Sequence, residues 1–110
     1  MNKKSSQLLR RPNDPPLLLL TSLASGPKHG YALLKDIEEF AGVTLSPGTL
    51  YGAITRLEEL GLIEPVAEVE RRRPYRIPTA GRQVLREVTT EMRRLADVGV
   101  ARLRLAARGV

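Results

Sequence analysis

Apolar residues recur along this chain in distinct rhythms, and each change of rhythm marks a change of element. Leu17, Leu20 and Ala24 fall on one helical face, Leu33, Ile37, Phe40 and Ala41 repeat at i, i+4, i+7 and i+8, and Leu50, Ile54, Leu57 and Leu60 form a third stripe. Stop and start signals lie between them. Asp14-Pro15-Pro16 can open the first helix, because Asp offers a capping oxygen and proline in the first turn removes only amides that lack a helical partner. Gly26-Pro27 ends that helix, with Gly permitting a left-handed cap. Gly42 ends a second running from about Lys28 to Ala41, and Gly61 ends a third that Ser46 caps with Pro47 at its first position. Two helices joined by the short link Val43-Thr44-Leu45 predict a helix-turn-helix.

From Leu62 to Ile77 the helical period disappears. Leu62-Ile63-Glu64-Pro65-Val66-Ala67 predicts a strand, Arg71-Arg72-Arg73 a tip, and Tyr75-Arg76-Ile77 a returning strand. Pro65 and Pro74 confine these strands to an exposed edge or to bulges, which a two-stranded wing tolerates. Pro78-Thr79 then opens a last helix, with Thr79 as its cap, in which Leu85, Val88, Met92 and Leu95 repeat at intervals of three and four. The stripe continues raggedly through Val98, Leu103 and Leu105, interrupted by Gly99 and Arg102. A helix this long has more apolar face than its short neighbours can cover, so Leu85, Val88, Met92 and Leu95 are predicted to pair with a second copy.

The fold expected is mainly α with a small β-hairpin wing: a winged helix-turn-helix plus a long C-terminal dimerisation helix. Residues 1 to 13, with Lys3, Lys4, Arg10 and Arg11, read as a flexible basic arm or a frayed helix, residues 14 to 78 as the winged helix-turn-helix domain and residues 79 to 110 as the dimerisation helix.

Composition narrows the chemistry. A chain of 110 residues, 42% hydrophobic and 27% charged, supports one core, and with one Phe, three Tyr and no Trp that core must be aliphatic. The absence of cysteine excludes disulfides, thiolate metal sites and cysteine nucleophiles, and a single His29 cannot build a multi-histidine metal site. No cofactor is expected. The longest apolar run, Leu17 to Leu20, is far shorter than the ~20 residues that span a bilayer, and Met1-Asn2-Lys3-Lys4 lacks a signal-peptide core, so a cytoplasmic location without membrane contact is expected. A net charge of +6 favours a polyanionic partner, since neutralising phosphates releases condensed counterions.

Placement of that charge points to duplex DNA. The face of the third helix opposite its apolar stripe presents Gly48, Gly52, Thr55 and Glu59, flanked by Thr49, Tyr51 and Arg56. Two glycines let the backbone approach a groove closely, Ser46 and Thr49 can donate to phosphate beside the helix N-terminus, and Arg56 can reach a phosphate or a guanine edge. On a merely solvated face each glycine would cost about 1 kcal/mol without return. Arg71, Arg72 and Arg73 make a cationic tip able to straddle a backbone or enter a narrow minor groove, offset only partly by Glu68 and Glu70. His29, beside Gly30, reads as a turn or cap residue with no nucleophile and carboxylate to complete a catalytic set. Glu38-Glu39 and Glu58-Glu59 diverge on their helices and form no carboxylate dyad, so an enzyme is not expected.

Several motifs in order carry a family resemblance: Gly26-Pro27-Lys28-His29-Gly30-Tyr31, Ser46-Pro47-Gly48-Thr49-Leu50-Tyr51, Arg56-Leu57-Glu58, Gly61-Leu62-Ile63, and Tyr75-Arg76-Ile77 ahead of Gly81-Arg82. From about Leu17 to Leu85 the chain resembles the PadR family of bacterial transcriptional regulators, in the branch with a single short C-terminal helix. The resemblance implies a homodimer that binds operator DNA, usually as a repressor and in some members released by an effector. It implies backbone contacts from Thr49 and Tyr51 and a wing role for Arg71, Arg72 and Arg73. Gly52 stands where the family commonly has Pro, Pro74 replaces an aromatic or basic residue, and Pro78 replaces a Thr cap. Some relatives stack planar drugs on a tryptophan, which this chain lacks. The alternative reading is a protein–protein interaction module in which the long helix docks another protein.

Overall fold

Four leucines in succession, Leu17 to Leu20, have no polar face to offer solvent, and the chain answers by burying the helix that carries them on nearly every side. In the computed structural model, which describes residues 13–109, this helix α1 (Pro15–Leu23) touches α2 (Gly30–Ala41), α3 (Pro47–Glu59) and α4 (Thr79–Ala107). Leu17, Leu18, Leu19, Leu20 and Leu23 are all buried, each contributing about 2 kcal/mol by removal from water. The single face expected from Leu17, Leu20 and Ala24 is therefore too narrow, and Ala24 is only the half-buried C-cap. Asp14 occupies the N-cap, but its side chain makes no capping hydrogen bond. Gly26 does not take the left-handed cap: the helix has already ended, and Gly26 adopts φ +144° in the link beyond it. The basic arm predicted before Asn13 lies outside the described residues.

The end of α1 is held by polar groups. Ser22, the one buried polar residue of the described core, donates to Asp36 Oδ2 at 2.6 Å, and its carbonyl accepts from Lys28 Nζ. Lys28 also donates to Ser25 Oγ at 2.8 Å and lies 3.9 Å from Asp36. A cation at the helix C-terminus satisfies carbonyls that have no helical donor and opposes the negative end of the dipole. Asp36 is thereby left half-buried on α2.

Lys28 and His29 are not helical, contrary to the expected start of the second helix. They form strand β1 (Lys28–His29), which pairs antiparallel with β3 (Pro74–Arg76), aligning Lys28 with Tyr75 and His29 with Pro74. On the other side of β3 runs β2 (Glu64–Pro65), aligning Glu64 with Arg76 and Pro65 with Tyr75, so the sheet order is β1-β3-β2. The wing thus has three strands instead of two. Pro65 sits on an edge strand, as its missing amide hydrogen requires. Pro74 begins the central strand instead, where its carbonyl accepts from the Val66 amide at 2.9 Å. Leu62 and Ile63, assigned to the strand from sequence, go into the core before pairing starts.

Helix α2 starts with His29 as its N-cap and ends at Gly42, left-handed at φ +67°. Leu33 and Ile37 are fully buried, whereas Phe40 is 46% exposed and lies outside the core. Helix α3 is capped by Ser46 Oγ, which accepts from the Thr49 amide at 3.1 Å, with Pro47 in the first turn. Its apolar stripe, Leu50, Ile54 and Leu57, is buried. At its end Gly61 takes φ +72°, allowing the Leu62 amide to reach the Leu57 carbonyl and the Gly61 amide to reach Glu58, both orphaned by the helix end.

Helix α4 has 29 residues, about 43 Å at 1.5 Å per residue, and gives the molecule its 61 Å long axis. Pro78 stands at its N-cap without a side-chain hydrogen bond, and Thr79, the expected cap, is its first helical residue. Gly81, Val84 and Val88 are buried against the chain's own core, with Leu85 and Met92 partly buried beside them. Beyond Met92 every described residue is exposed, including Leu95, Val98, Val100, Leu103 and Leu105.

At Gly81 the helix backbone packs against Leu62, and a Cβ added there would strike the Leu62 carbonyl and stand 2.8 Å from Ile77 Cγ1. Gly81→Ala is expected to cost about 1 to 3 kcal/mol of stability through overpacking. Gly99→Ala, with open space around it, is expected to raise stability by about 1 kcal/mol through helix propensity. Denaturant midpoints of the two variants against the parent check both signs.

Candidate nucleic-acid interface

The candidate surface begins where α3 turns its apolar stripe inward and leaves a thin polar face outward. Ser46, Gly48, Thr49, Tyr51, Gly52, Thr55 and Arg56 are all exposed along this helix and its cap. Among the described residues a Cβ on Gly48 or Gly52 would meet nothing within 4 Å, so packing against them requires neither glycine. Ser46 Oγ is 2.9 Å from Thr49 Oγ1, which places two hydroxyls together at the positive end of the helix. Thr55 donates its hydroxyl hydrogen back to the Tyr51 carbonyl at 3.0 Å. Its oxygen lone pairs and methyl group remain for a partner. Arg56 lies in the last turn, where a cation also complements the helix dipole.

The wing brings its arginines alongside. Val69 and Arg72 exchange two backbone hydrogen bonds, of 2.9 and 2.8 Å, across a turn whose central residues Glu70 and Arg71 both have positive φ, 50° and 66°. Such a turn matches the twist of a hairpin but strains side chains other than Gly or Asn. Arg71, Arg72 and Arg73 are exposed around it. Arg76, further back on β3, pairs with Glu64 across the strands.

Between the wing and the first turn of α2 lies a cleft of about 390 Å³ lined by His29, Gly30, Tyr31, Tyr51, Arg71, Arg72, Arg73 and Tyr75. It unites one residue predicted on α3 with the three predicted on the wing. Gly30 is buried beneath Tyr51, whose hydroxyl would stand 2.5 Å from a Cβ added there, so the glycine lets the tyrosine lie across the helix start. Tyr31 is 62% exposed, with the Lys35 ammonium 5.5 Å from its ring centre. Burial pushes the Tyr75 phenol above its ordinary value of 10, reinforced by Glu58 and opposed by Arg73, so it keeps its hydrogen at neutral pH. Tyr31, Tyr75 and the lining role of His29 were not singled out as site residues from sequence, although Lys28-His29-Gly30-Tyr31 was visible as a motif. The signal was present without a geometry to interpret it. Among the described residues no group of three or more His, Cys, Asp or Glu could hold a metal, and no helix is long and apolar enough to cross a membrane.

A helix-turn-helix followed by a three-stranded wing and a long C-terminal helix defines a winged helix-turn-helix protein. Residues 19–87 match the Transcriptional regulator PadR-like family, and the chain belongs to that family. It is 45% identical over 86 residues to an uncharacterised 37.1 kDa protein in transposon TN4556 of Streptomyces fradiae, a match covering 78% of this chain and 25% of that protein. The transcriptional activator GvpE2 of Halobacterium salinarum is 36% identical over 67 residues, 61% of this chain and 34% of its own length. The transcriptional regulator Rv3488 of Mycobacterium tuberculosis is 36% identical over 83 residues, 73% of this chain and 77% of its own. The chain therefore spans only a quarter to a third of the first two relatives. A crystal structure of a PadR family transcription regulator from Clostridium difficile R20291 superposes with a TM-score of 0.72 at 26% identity, covering 81% of this chain and 97% of that one.

Gly30→Ala is expected to displace the Tyr51 ring and leave the fold intact, because the obstructing atom is the far end of a flexible side chain. The check is a change in Tyr51 ring resonances, with a melting temperature within a few degrees of the parent, the shift that about 1 kcal/mol produces in a domain of this size.

Proposed function

We propose that this chain binds a specific duplex DNA operator as a homodimer and represses transcription by occupying it. The observation that carries the reading is the meeting of Tyr51, on the exposed face of α3, with three wing arginines around one cleft. In this reading α3 enters the major groove. Gly48 and Gly52 allow close backbone approach, Ser46, Thr49 and Tyr51 hold phosphates, and Thr55 and Arg56 read bases. With its hydrogen committed to the Tyr51 carbonyl, Thr55 offers a methyl group suited to thymine and an oxygen that accepts. Arg71, Arg72 and Arg73 hold the flanking backbone. Repression needs nothing beyond occupancy, since a bound dimer excludes polymerase from an overlapping site. Residues 14 to 78 act as the DNA-binding unit and 79 to 110 as the dimer-forming helix, working on DNA in the cytoplasm.

The far half of α4 supports the homodimer. An isolated helical segment of this length is marginal in water, yet Leu95 and Leu103 are 75% and 73% exposed, so a second helix is the natural cover. Val88 is already committed to the chain's own core. The proposed contact accordingly runs from Leu85 and Met92 at its near end through Leu95 to Leu103, with Val88 supporting it from behind.

Replacing Arg71, Arg72 and Arg73 together by Ala is expected to weaken operator binding and reduce the slope of log affinity against log salt by about 2 to 3. An unchanged slope in fluorescence anisotropy titrations would remove the wing from the interface. Leu95→Glu with Leu103→Glu is expected to give folded monomers by light scattering and circular dichroism, with operator affinity lost because two half-sites need two copies. Dimers that persist in this variant place the contact elsewhere.

A further inference from the structure

We propose that the cleft between the wing and the start of α2 seats one phosphodiester of the bound duplex, gripped between the His29 imidazole and the Arg72 guanidinium. This rests on the DNA-binding reading above and adds to it a residue and a position. Its basis is a contact that the protein's own atoms leave unsatisfied. The Ala32 amide donates to His29 Nδ1 at 3.3 Å, which uses the lone pair of that nitrogen and leaves the ring hydrogen on Nε2. Nε2 lies 3.1 Å from Arg72 Nη1. A guanidinium nitrogen only donates, so two donors face each other and neither accepts.

An acceptor reached by both groups resolves the conflict, and the surroundings favour an anionic one. Arg71 and Arg73 flank the pair, Tyr31 and Tyr51 join them in the lining, and among the described residues no carboxylate lines the cleft. Water could also accept from both donors, but it brings no charge to three arginines. A phosphate oxygen accepts from both and is matched to the guanidinium in charge and shape. The backbone of a duplex is the source because Tyr51 of α3 and the wing tip border the same cleft, so a strand running from the recognition helix to the wing passes over it. His29 is then a phosphate ligand as well as a helix cap. It is prepared for that role by Ala32, which fixes its tautomer, and by β1, which holds it against β3.

His29 is the chain's one histidine, so imidazole nitrogen spectra report a single ring. The full chain is titrated with duplex DNA and, separately, with inorganic phosphate, while anisotropy of the labelled duplex follows binding. The expected result is an Nε2–H tautomer whose hydrogen moves downfield and exchanges slowly once duplex saturates the protein. His29→Asn keeps a good capping oxygen for Ala32 but does not reach the cleft. It is expected to retain its melting temperature, lose duplex affinity about tenfold and keep the parent salt slope, since a neutral donor releases no counterion. Arg72→Ala is expected to lower that slope by about 1. Duplex binding at parental affinity by His29→Asn, or a ring unmoved in a protein that binds duplex, overturns the phosphate assignment and leaves DNA binding standing. Ring shifts with inorganic phosphate but not with bound duplex likewise overturn it in favour of a free-anion site. If the parent binds no duplex at all, the DNA-binding reading fails and this one with it.

Discussion

Burial of the leucine-rich helix α1 is the constraint on which the rest of the molecule depends. Because Leu17 to Leu20 and Leu23 all leave water, α1 needs neighbours on several sides, and α2, α3 and α4 each pack one apolar stripe onto it. That shared surface fixes how α2 and α3 lie relative to one another, and so which face of α3 points outward. A polar residue at the wrong place on α1 would be costly, and Ser22 is tolerated because Asp36 accepts its hydrogen. The same small cluster, through Lys28, ties the end of α1 to the strand that begins the wing sheet.

The pairing of β1 with β3 carries this order outward. Two residues just before α2 join the returning strand of the wing, so the wing is hydrogen-bonded to the helix-turn-helix instead of hanging from the end of α3. The arginines of the turn consequently stand beside His29, Tyr31 and Tyr51. Gly30 completes the arrangement by leaving room for the Tyr51 hydroxyl. Positioning of this kind matters for phosphate recognition, where the orientation of donors selects the path of the backbone and the charge supplies affinity.

Local signals in the chain were enough for much of this. The Ser46 cap, Pro47, and the left-handed glycines 42 and 61 depend on chemistry within a few residues, and the structure has them where the sequence implied. The exposed face of α3 followed from its period alone. The extended state of Lys28 and His29 is not legible locally, because strand pairing is decided by a partner more than forty residues away. Phe40 matches the apolar period but is 46% exposed, with no cover for it among the described residues. The lining residues His29 and Tyr31 share one motif, but Tyr75 comes from a segment more than forty residues away, and no spacing along the chain records that they meet.

The sequence by itself determined the order of helices and wing, the stops between them, the thin polar face of α3 and the basic turn, because each arises from local backbone chemistry or from periodicity on one element. Only the tertiary structure decided that the wing has a third strand, that Val88 serves the chain's own core while Leu95 and Leu103 remain uncovered, and that His29 Nε2 lies 3.1 Å from Arg72 Nη1. The physical reason is common to all three. Burial, strand pairing and side-chain geometry are properties of two surfaces at once, and a single stretch of sequence specifies only its own.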